Sequence, residues 1–156
     1  MFGYVIDEKT KRLAVFLDGE PDKESYPDID IQDYEVEQDW RGDYYIKGYA
    51  PVQSENEKAA AIQAQYTAMV QFILDTEAQK LGYDSCLSVC SYIDTGIAKY
   101  DAEGKSFRSW RSEVWNKAFE LLDQIKAGSA TMPTENELRA ILPELVINYN
   151  TTGYTI

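Results

Sequence analysis

The sequence contains no histidine and only two cysteines. Without an imidazole the chain cannot build a Ser-His-Asp or Cys-His nucleophilic site. A structural zinc site needs four thiolate or imidazole donors, and two thiols are too few. Paired carboxylates are plentiful, but glycoside hydrolysis needs them at a fixed separation across a cleft, which a sequence does not show. We therefore expect a protein that is not an enzyme and has no catalytic residues.

Motifs that bind phosphate or calcium are also missing. The sequence has no G-x-x-x-x-G-K-[ST] and no G-x-G-x-x-G segment. An EF-hand loop starting at Asp18 would need glycine at its sixth position and glutamate at its twelfth, where Lys23 and Ile29 stand. We expect no cofactor and no metal.

Long apolar runs are absent as well. No segment approaches the roughly 20 apolar residues that span a bilayer. The N-terminal residues MFGYVIDEKTKRLAVF lack a basic segment followed by a long apolar run, which is the pattern of a signal peptide. We expect a cytosolic protein with no membrane partner.

Positive charge is scarce: 15 basic residues face 27 acidic ones, and the net charge is −12. Residues 18–43 hold eleven acidic residues against Lys23 and Arg41. Such a surface repels phosphate backbones, so we expect no nucleic-acid partner. The acidic segment is either a solvated loop or a patch that attracts a basic or cation-bearing partner.

Cys86 and Cys90 are four residues apart, so on a helix they point the same way. A disulfide between such positions is geometrically awkward, and the spacing does not fit a redox C-x-x-C pair. Free cysteine is among the most frequently buried residue types. We predict that both thiols pack in a core, on a short helix capped by Asp84 or Ser85.

Residues 1–51 are predicted to form a small antiparallel β unit. One hairpin turns at Asp7–Lys11, and a second, rich in aromatic residues, turns at Arg41-Gly42-Asp43. That tripeptide also spells a cell-adhesion motif, but its place between two strands favours a turn. The acidic loop, with Pro21 and Pro27, separates the hairpins.

Residues 54–143 are predicted to be helical. Capping boxes at Ser54/Glu57 and Thr134/Glu137 mark helix starts, and Asp101 is the expected N-cap of a third helix. Apolar residues recur every three or four positions over 62–81 and 107–125, which predicts an antiparallel hairpin of long helices. The tail, 144–156, either adds a strand or stays without regular structure. The fold class is α+β.

Aromatic residues are abundant, with twelve tyrosines and three tryptophans. Trp110 and Trp115 are five apart on the third helix and face different directions, so at least one is free to pack outward. Exposed tyrosine and tryptophan are typical of protein interfaces. The predicted partner-binding residues are Trp40, Tyr44, Tyr45, Tyr49 and Trp115.

Several segments resemble those of bacteriophage and prophage tail proteins of the tail-fibre assembly type. They are Tyr83-Asp84-Ser85, Ser88, Cys90-Ser91-Tyr92, Glu103-Gly104, Phe107, Trp110-Arg111-x-x-Val114-Trp115, Ala127-Gly128 and Pro133-Thr134-x-x-Glu137-Leu138, preceded by Tyr45-Ile46-Lys47-Gly48-Tyr49-Ala50-Pro51. The resemblance covers about residues 40–143, and its motifs define a fold rather than a catalytic site.

The resemblance implies a dedicated chaperone that binds a phage tail-fibre or other tail protein. It would act in the host bacterial cytoplasm during assembly, or remain in the virion tail. The alternatives are a structural subunit of the virion tail or baseplate, in which the helices build symmetric contacts as a homo-oligomer, and an aromatic-lined glycan-binding module.

Overall fold

The first part of the chain forms a curled antiparallel sheet, seen in a computed structural model that describes residues 1–149. Its strands are β1 (Phe2–Asp7), β2 (Arg12–Val15), β3 (Gln32–Asp33), β4 (Val36–Gln38) and β5 (Tyr44–Ile46), in the order β3-β1-β2-β5-β4. Both predicted hairpins are confirmed, as β1–β2 and β4–β5.

The two edges of this sheet are consecutive in the chain. Only Tyr34 and Glu35 separate β3, which pairs with β1, from β4, which pairs with β5. The backbone N–H of Tyr34 donates to Met1 O at 2.9 Å, and that of Lys47 donates to Glu35 O at 2.9 Å. One stretch of chain therefore bonds to both ends of the sheet, which leaves little edge to pair with another strand.

The second part is helical: α1 (Glu55–Lys80), α2 (Cys86–Cys90), α3 (Ala98–Lys126) and α4 (Glu135–Ile141). The two capping boxes form as predicted. Gly82 and Gly128, just beyond α1 and α3, have φ of 88° and 77°, the left-handed backbone that ends a helix.

The predicted apolar faces of the long helices form one core. It contains Tyr66, Val70, Ile73, Leu74 and Ala78 of α1 and Phe107, Trp110, Val114, Ala118, Leu122 and Ile125 of α3, with Cys86, Val89, Leu138 and Leu142. Gln63, near the start of α1, accepts a hydrogen bond from Lys126 Nζ at the end of α3, while Ile73 and Trp110 line one groove. The helices are therefore antiparallel, and the predicted α+β class is confirmed.

One sequence expectation is wrong. Helix α3 begins three residues before Asp101, with Ile97 at the N-cap and no side-chain cap. Asp101 lies in the first turn, where its carboxylate accepts the Asp94 N–H at 2.7 Å. Two alternatives were left open for the tail, and over residues 144–149 it forms no strand. Trp110 Nε1 donates to the O of Pro143, just before the tail, and the Asn148 N–H donates to Ser106 Oγ. The rest of the tail lies outside the described residues.

The chain divides into two compact units, Met1–Lys58 and Ala59–Ile156, called here the N-terminal unit and the helical unit. The boundary lies near the start of α1, a few residues beyond the predicted division at 51–54. Within residues 1–149, no helix is long and apolar enough to cross a bilayer.

Candidate partner-binding surface

The turn between β4 and β5 is organised by the carboxylate of Asp39. Asp39 is buried, and its Oδ1 accepts the backbone N–H groups of Arg41 at 2.9 Å and Asp43 at 3.0 Å. Its Oδ2 pairs with the Arg41 guanidinium at 2.8 Å. Burial alone would raise the pKa of Asp39, but these hydrogen bonds outweigh it and the pKa is lowered. The turn is therefore held by a charged group that stays ionised.

Trp40 stands at the tip of this turn and is 38% exposed. The Arg41 guanidinium lies over its ring, 4.6 Å from the centroid, in a cation–π arrangement. Asp43 pairs with Arg12 of β2 at 2.6 Å. Both charged residues of the Arg41-Gly42-Asp43 tripeptide are thus engaged within the unit, as expected for a turn.

A second carboxylate holds the loop after β5. Glu37 of β4 accepts the backbone N–H groups of Gly48 at 2.8 Å and Ala50 at 2.7 Å. Tyr49 lies between them and is 56% exposed. The sequence marked Glu37 and Asp39 only as acidic charge; the available signal was their two-residue spacing at the end of β4, with Gly42 and Gly48 marking the turns that they bind.

The five predicted residues occupy different places. Trp40 and the half-buried Tyr44 lie at the turn end of the β4–β5 hairpin, whereas Tyr49 follows Ile46 at its other end. Tyr45 is only 4% exposed and its side chain belongs to the interior of the N-terminal unit, near Asp39. In the N-terminal unit, Trp40 and Tyr49 are the exposed members of the set.

Trp115 belongs to the helical unit and is half-buried against its core. Its indole stacks on Phe119, with centroids 5.5 Å apart and planes at 30°. Phe119 is 50% exposed, so the outward aromatic surface on this side of α3 is mainly that of Phe119.

The thiols behave as packing residues. Cys86 is fully buried and Cys90 is half-buried against the same core. Burial, followed by the neighbouring Cys90, raises the pKa of Cys86 to about 12. Ser85 caps α2 by accepting the Ser88 N–H at 3.2 Å. A thiol protonated at neutral pH is a poor nucleophile and a poor metal ligand.

Glu103 is a buried carboxylate that the sequence analysis missed. It is 2% exposed and accepts hydrogen bonds from the hydroxyls of Tyr83 and, at 3.0 Å, Tyr149. Burial and the hydrogen bond to this carboxylate raise the pKa of Tyr83. The signal was present, since Glu103 lies four residues before Phe107 on the same helical face. Within residues 1–149, no group of three Cys, Asp or Glu side chains could hold a metal ion.

The molecule is thus an α+β protein in which the buried Asp39 holds the turn that carries Trp40. Comparisons with protein families, curated proteins and solved structures each found no match to the chain.

Proposed function

We propose that the protein is a non-enzymatic assembly factor for a bacteriophage tail fibre, which binds the fibre protein in the cytoplasm of the host bacterium. The observation that carries the proposal is the exposed Trp40 on a turn that Asp39 fixes. The resemblance of residues 40–143 to tail-fibre assembly proteins supplies the class of partner.

The turn suits partner binding because it is ordered before contact. Asp39 fixes the backbone, and Arg41 is already paired and stacked on Trp40. A surface that is ordered in advance loses little conformational entropy on association, and tryptophan and arginine are common interface anchors.

The placement of the resembling residues also supports a binding role. Glu103, Gly104, Phe107 and Trp110 are buried in the helical unit, and Ser85 caps α2. Residues in these places shape a fold and are not displayed to a substrate. Of the predicted partner-binding residues, Trp40 and Tyr49 are exposed and therefore available to a fibre.

The test is co-expression with a tail-fibre protein encoded in the same phage or prophage genome as this chain. The wild-type chain should raise the yield of soluble, trimeric fibre and co-purify with it. Trp40→Ala should lose most of this effect, because truncating a central interface aromatic typically costs about 2 kcal/mol or more. Leu17→Ala is the matched control, since Leu17 is an exposed apolar residue of the same unit.

Unchanged fibre yield with the wild-type chain would contradict the chaperone role, and equal loss with both variants would contradict a role of Trp40 in fibre binding.

Purified phage particles distinguish the assembly factor from the main alternative. A stoichiometric band in mature virions would favour a structural subunit of the tail or baseplate, whereas presence in the infected lysate alone favours the assembly factor.

A further inference from the structure

The chain after α4 has the burial pattern of a β-strand that lacks a paired neighbour. Exposed and half-buried residues alternate over residues 144–149. The exposed ones are Glu144, Val146 and Asn148, and the half-buried ones are Leu145, Ile147 and Tyr149. Leu145 and Ile147 pack against the core of the helical unit. Alternation with a period of two is typical of an extended backbone with one face on a core. Residues 144–149 are called here the extended segment.

The backbone in the middle of the extended segment is unpaired. The chain is attached to α3 on either side of it: Trp110 Nε1 donates to Pro143 O at 2.7 Å, and the Asn148 N–H donates to Ser106 Oγ at 3.0 Å. Between these attachments, the N–H and C=O groups of residues 144–147 form no hydrogen bond with any residue in the described part of the chain. Backbone groups are nearly always paired in folded proteins, and a row of unpaired ones is a template for another strand.

A groove of about 370 Å³ lies between the extended segment and α3. Val146 and Asn148 line it on one side, and Ser106 and Ser109, whose side chains are short, line it on the other. The Asn148 N–H points to Ser106 in this groove, and alternate N–H groups of an extended backbone point the same way. The unpaired N–H groups of Glu144 and Val146 therefore face the groove, where a second extended chain can reach them.

The charge of the groove favours a basic occupant. Glu113 of α3 and Glu144 both line it, both are exposed, and neither has an ion-pair partner within residues 1–149. Lys105, which also lines the groove, is already paired with Asp101 at 2.7 Å. A lysine or arginine on an incoming strand would pair with the two carboxylates. A second copy of this chain that paired through the same segment would instead bring a further Glu144 to them.

We propose that this groove binds an extended, basic segment of another polypeptide, which adds as a strand along the backbone of Glu144 and Val146. In strand addition, main-chain hydrogen bonds supply affinity and side-chain contacts supply specificity. Alternate side chains of a strand face the same side, so a basic residue at every second position suits the carboxylates. The proposal does not depend on the proposed function, because any partner with such a segment satisfies it and its test does not involve Trp40.

Titration of the full chain with a short peptide of alternating valine and lysine, blocked at both ends, tests the proposal. In ¹H–¹⁵N spectra, the amide resonances of residues 144–147 should shift, and these amides should gain protection from hydrogen exchange. The matched control peptide has glutamate in place of each lysine. It should bind at least tenfold more weakly, because its charge has the same sign as that of the groove.

Two variants of the chain test main-chain pairing. Val146→Pro removes an N–H that faces the groove and should weaken binding of the lysine peptide at least tenfold. Val146→Ala shortens the same exposed side chain but keeps the N–H, and should change binding by less than about threefold. Both should fold, as unchanged far-ultraviolet circular dichroism would show, because this N–H has no partner and the residue before it is already extended.

Three results would overturn the proposal directly: no shift at residues 144–147 with millimolar peptide, equal binding by the two variants, or equal binding of the two peptides. Two others would assign the groove to a different occupant. Hydrogen-exchange protection of residues 144–147 without peptide would show that the chain itself already pairs them. Dimerisation that the peptide reverses would show that a second copy occupies the groove.

Discussion

Glu103 shows how a buried carboxyl group can be satisfied by hydrogen bonds from tyrosine hydroxyls. Its carboxylate is out of solvent, and the hydroxyls of Tyr83 and Tyr149 donate to its two oxygens. A buried polar group that loses a hydrogen-bond donor still bears the free-energy cost of its desolvation. Tyr149 also attaches the segment after α4 to α3. Through its hydrogen bond with Tyr149, Glu103 therefore links the tail to the helical core.

Tyr83→Phe should destabilise the helical unit by about 1–3 kcal/mol, because it leaves one oxygen of the buried Glu103 unsatisfied. The free energy of unfolding would be measured by urea denaturation followed at 222 nm. Tyr92→Phe is the matched control: Tyr92 belongs to the same cluster of tyrosine rings but is exposed, and its loss should fall within about 0.5 kcal/mol. Equal losses for both variants would show that the carboxylate does not depend on Tyr83.

Cys86 gives the fold a dependence on alkaline pH. Its pKa is about 12 in the folded protein, against an ordinary value of 9.0. Above pH 9 the unfolded chain releases the thiol proton and the folded chain keeps it, so the unfolded state is favoured as pH rises. Each pH unit between about 9 and 12 should lower the free energy of unfolding by up to about 1.4 kcal/mol for this group.

Urea denaturation at pH 8, 9 and 10 tests whether the free energy of unfolding falls as the pH rises. Tyr83, whose pKa is also raised, contributes in the same direction at higher pH. Cys86→Ala removes one titrating group and should make the decline between pH 9 and 10 shallower. A wild-type stability that is constant or rises over this interval would contradict burial of the thiol in its neutral form.

At the scale of elements, the close approach of α2 to α3 depends on Gly104. A Cβ at this position would lie 2.9 Å from Ile93 Cγ1, 3.0 Å from Val89 O and 3.2 Å from Ile93 N. Two of these three atoms are backbone, so α2 and the residues after it would have to move. Glycine is otherwise a poor helix former, and its presence inside α3 is explained by this contact.

Gly104→Ala should therefore destabilise the helical unit by about 1–3 kcal/mol, the usual cost of overpacking, even though alanine raises helix propensity by about 1 kcal/mol. Ser109→Ala, at an exposed position of the same helix, should change stability by less than about 0.5 kcal/mol. Thermal unfolding by calorimetry compares the two. A stabilised Gly104→Ala protein would mean that α2 adjusts without cost.

Elements with local signals were predictable from the sequence. The capping boxes and the three- and four-residue spacing over 62–81 and 107–125 depend on neighbours within one helix. They were confirmed except at Leu81, which lies just beyond α1 and is 41% exposed. The start of α3 was not predictable from capping, because Ile97 provides no side-chain cap. Strand β3 has two residues and is held by pairing with β1, which is distant in sequence, so no local pattern marks it.

The candidate surface was predictable only in part. Aromatic content indicated Trp40 and Tyr49, which are exposed. Aromatic content alone could not distinguish Trp40 and Tyr49 from the buried Tyr45. Adjacent residues of a short strand face opposite sides of the sheet, and only the complete sheet determines which side is internal. The same limit applies to Glu37 and Asp39: their role depends on the backbone N–H groups that the turns bring to them.

At the scale of the whole molecule, the two units differ in the size of their cores. Among the described residues, the buried apolar side chains of the N-terminal unit are Leu13, Ile31 and Tyr45, whereas the helical unit has a large continuous cluster. The N-terminal unit also carries most of the excess negative charge. A small core and self-repulsion both lower the free energy of unfolding.

We therefore expect the N-terminal unit to unfold at a lower urea concentration than the helical unit. Each unit has its own reporter, because Trp40 is the tryptophan of the first, and Trp110 and Trp115 are those of the second. In ¹H–¹⁵N spectra, the native indole resonance of Trp40 should be lost first, with assignments from single Trp→Phe variants. Raising NaCl from about 20 to about 200 mM should move the Trp40 midpoint upward, because screening weakens repulsion among exposed carboxylates, and should move the other two less. Loss of all three resonances at one midpoint would contradict the expected order of unfolding, and a Trp40 midpoint insensitive to salt would show that charge repulsion does not contribute to it.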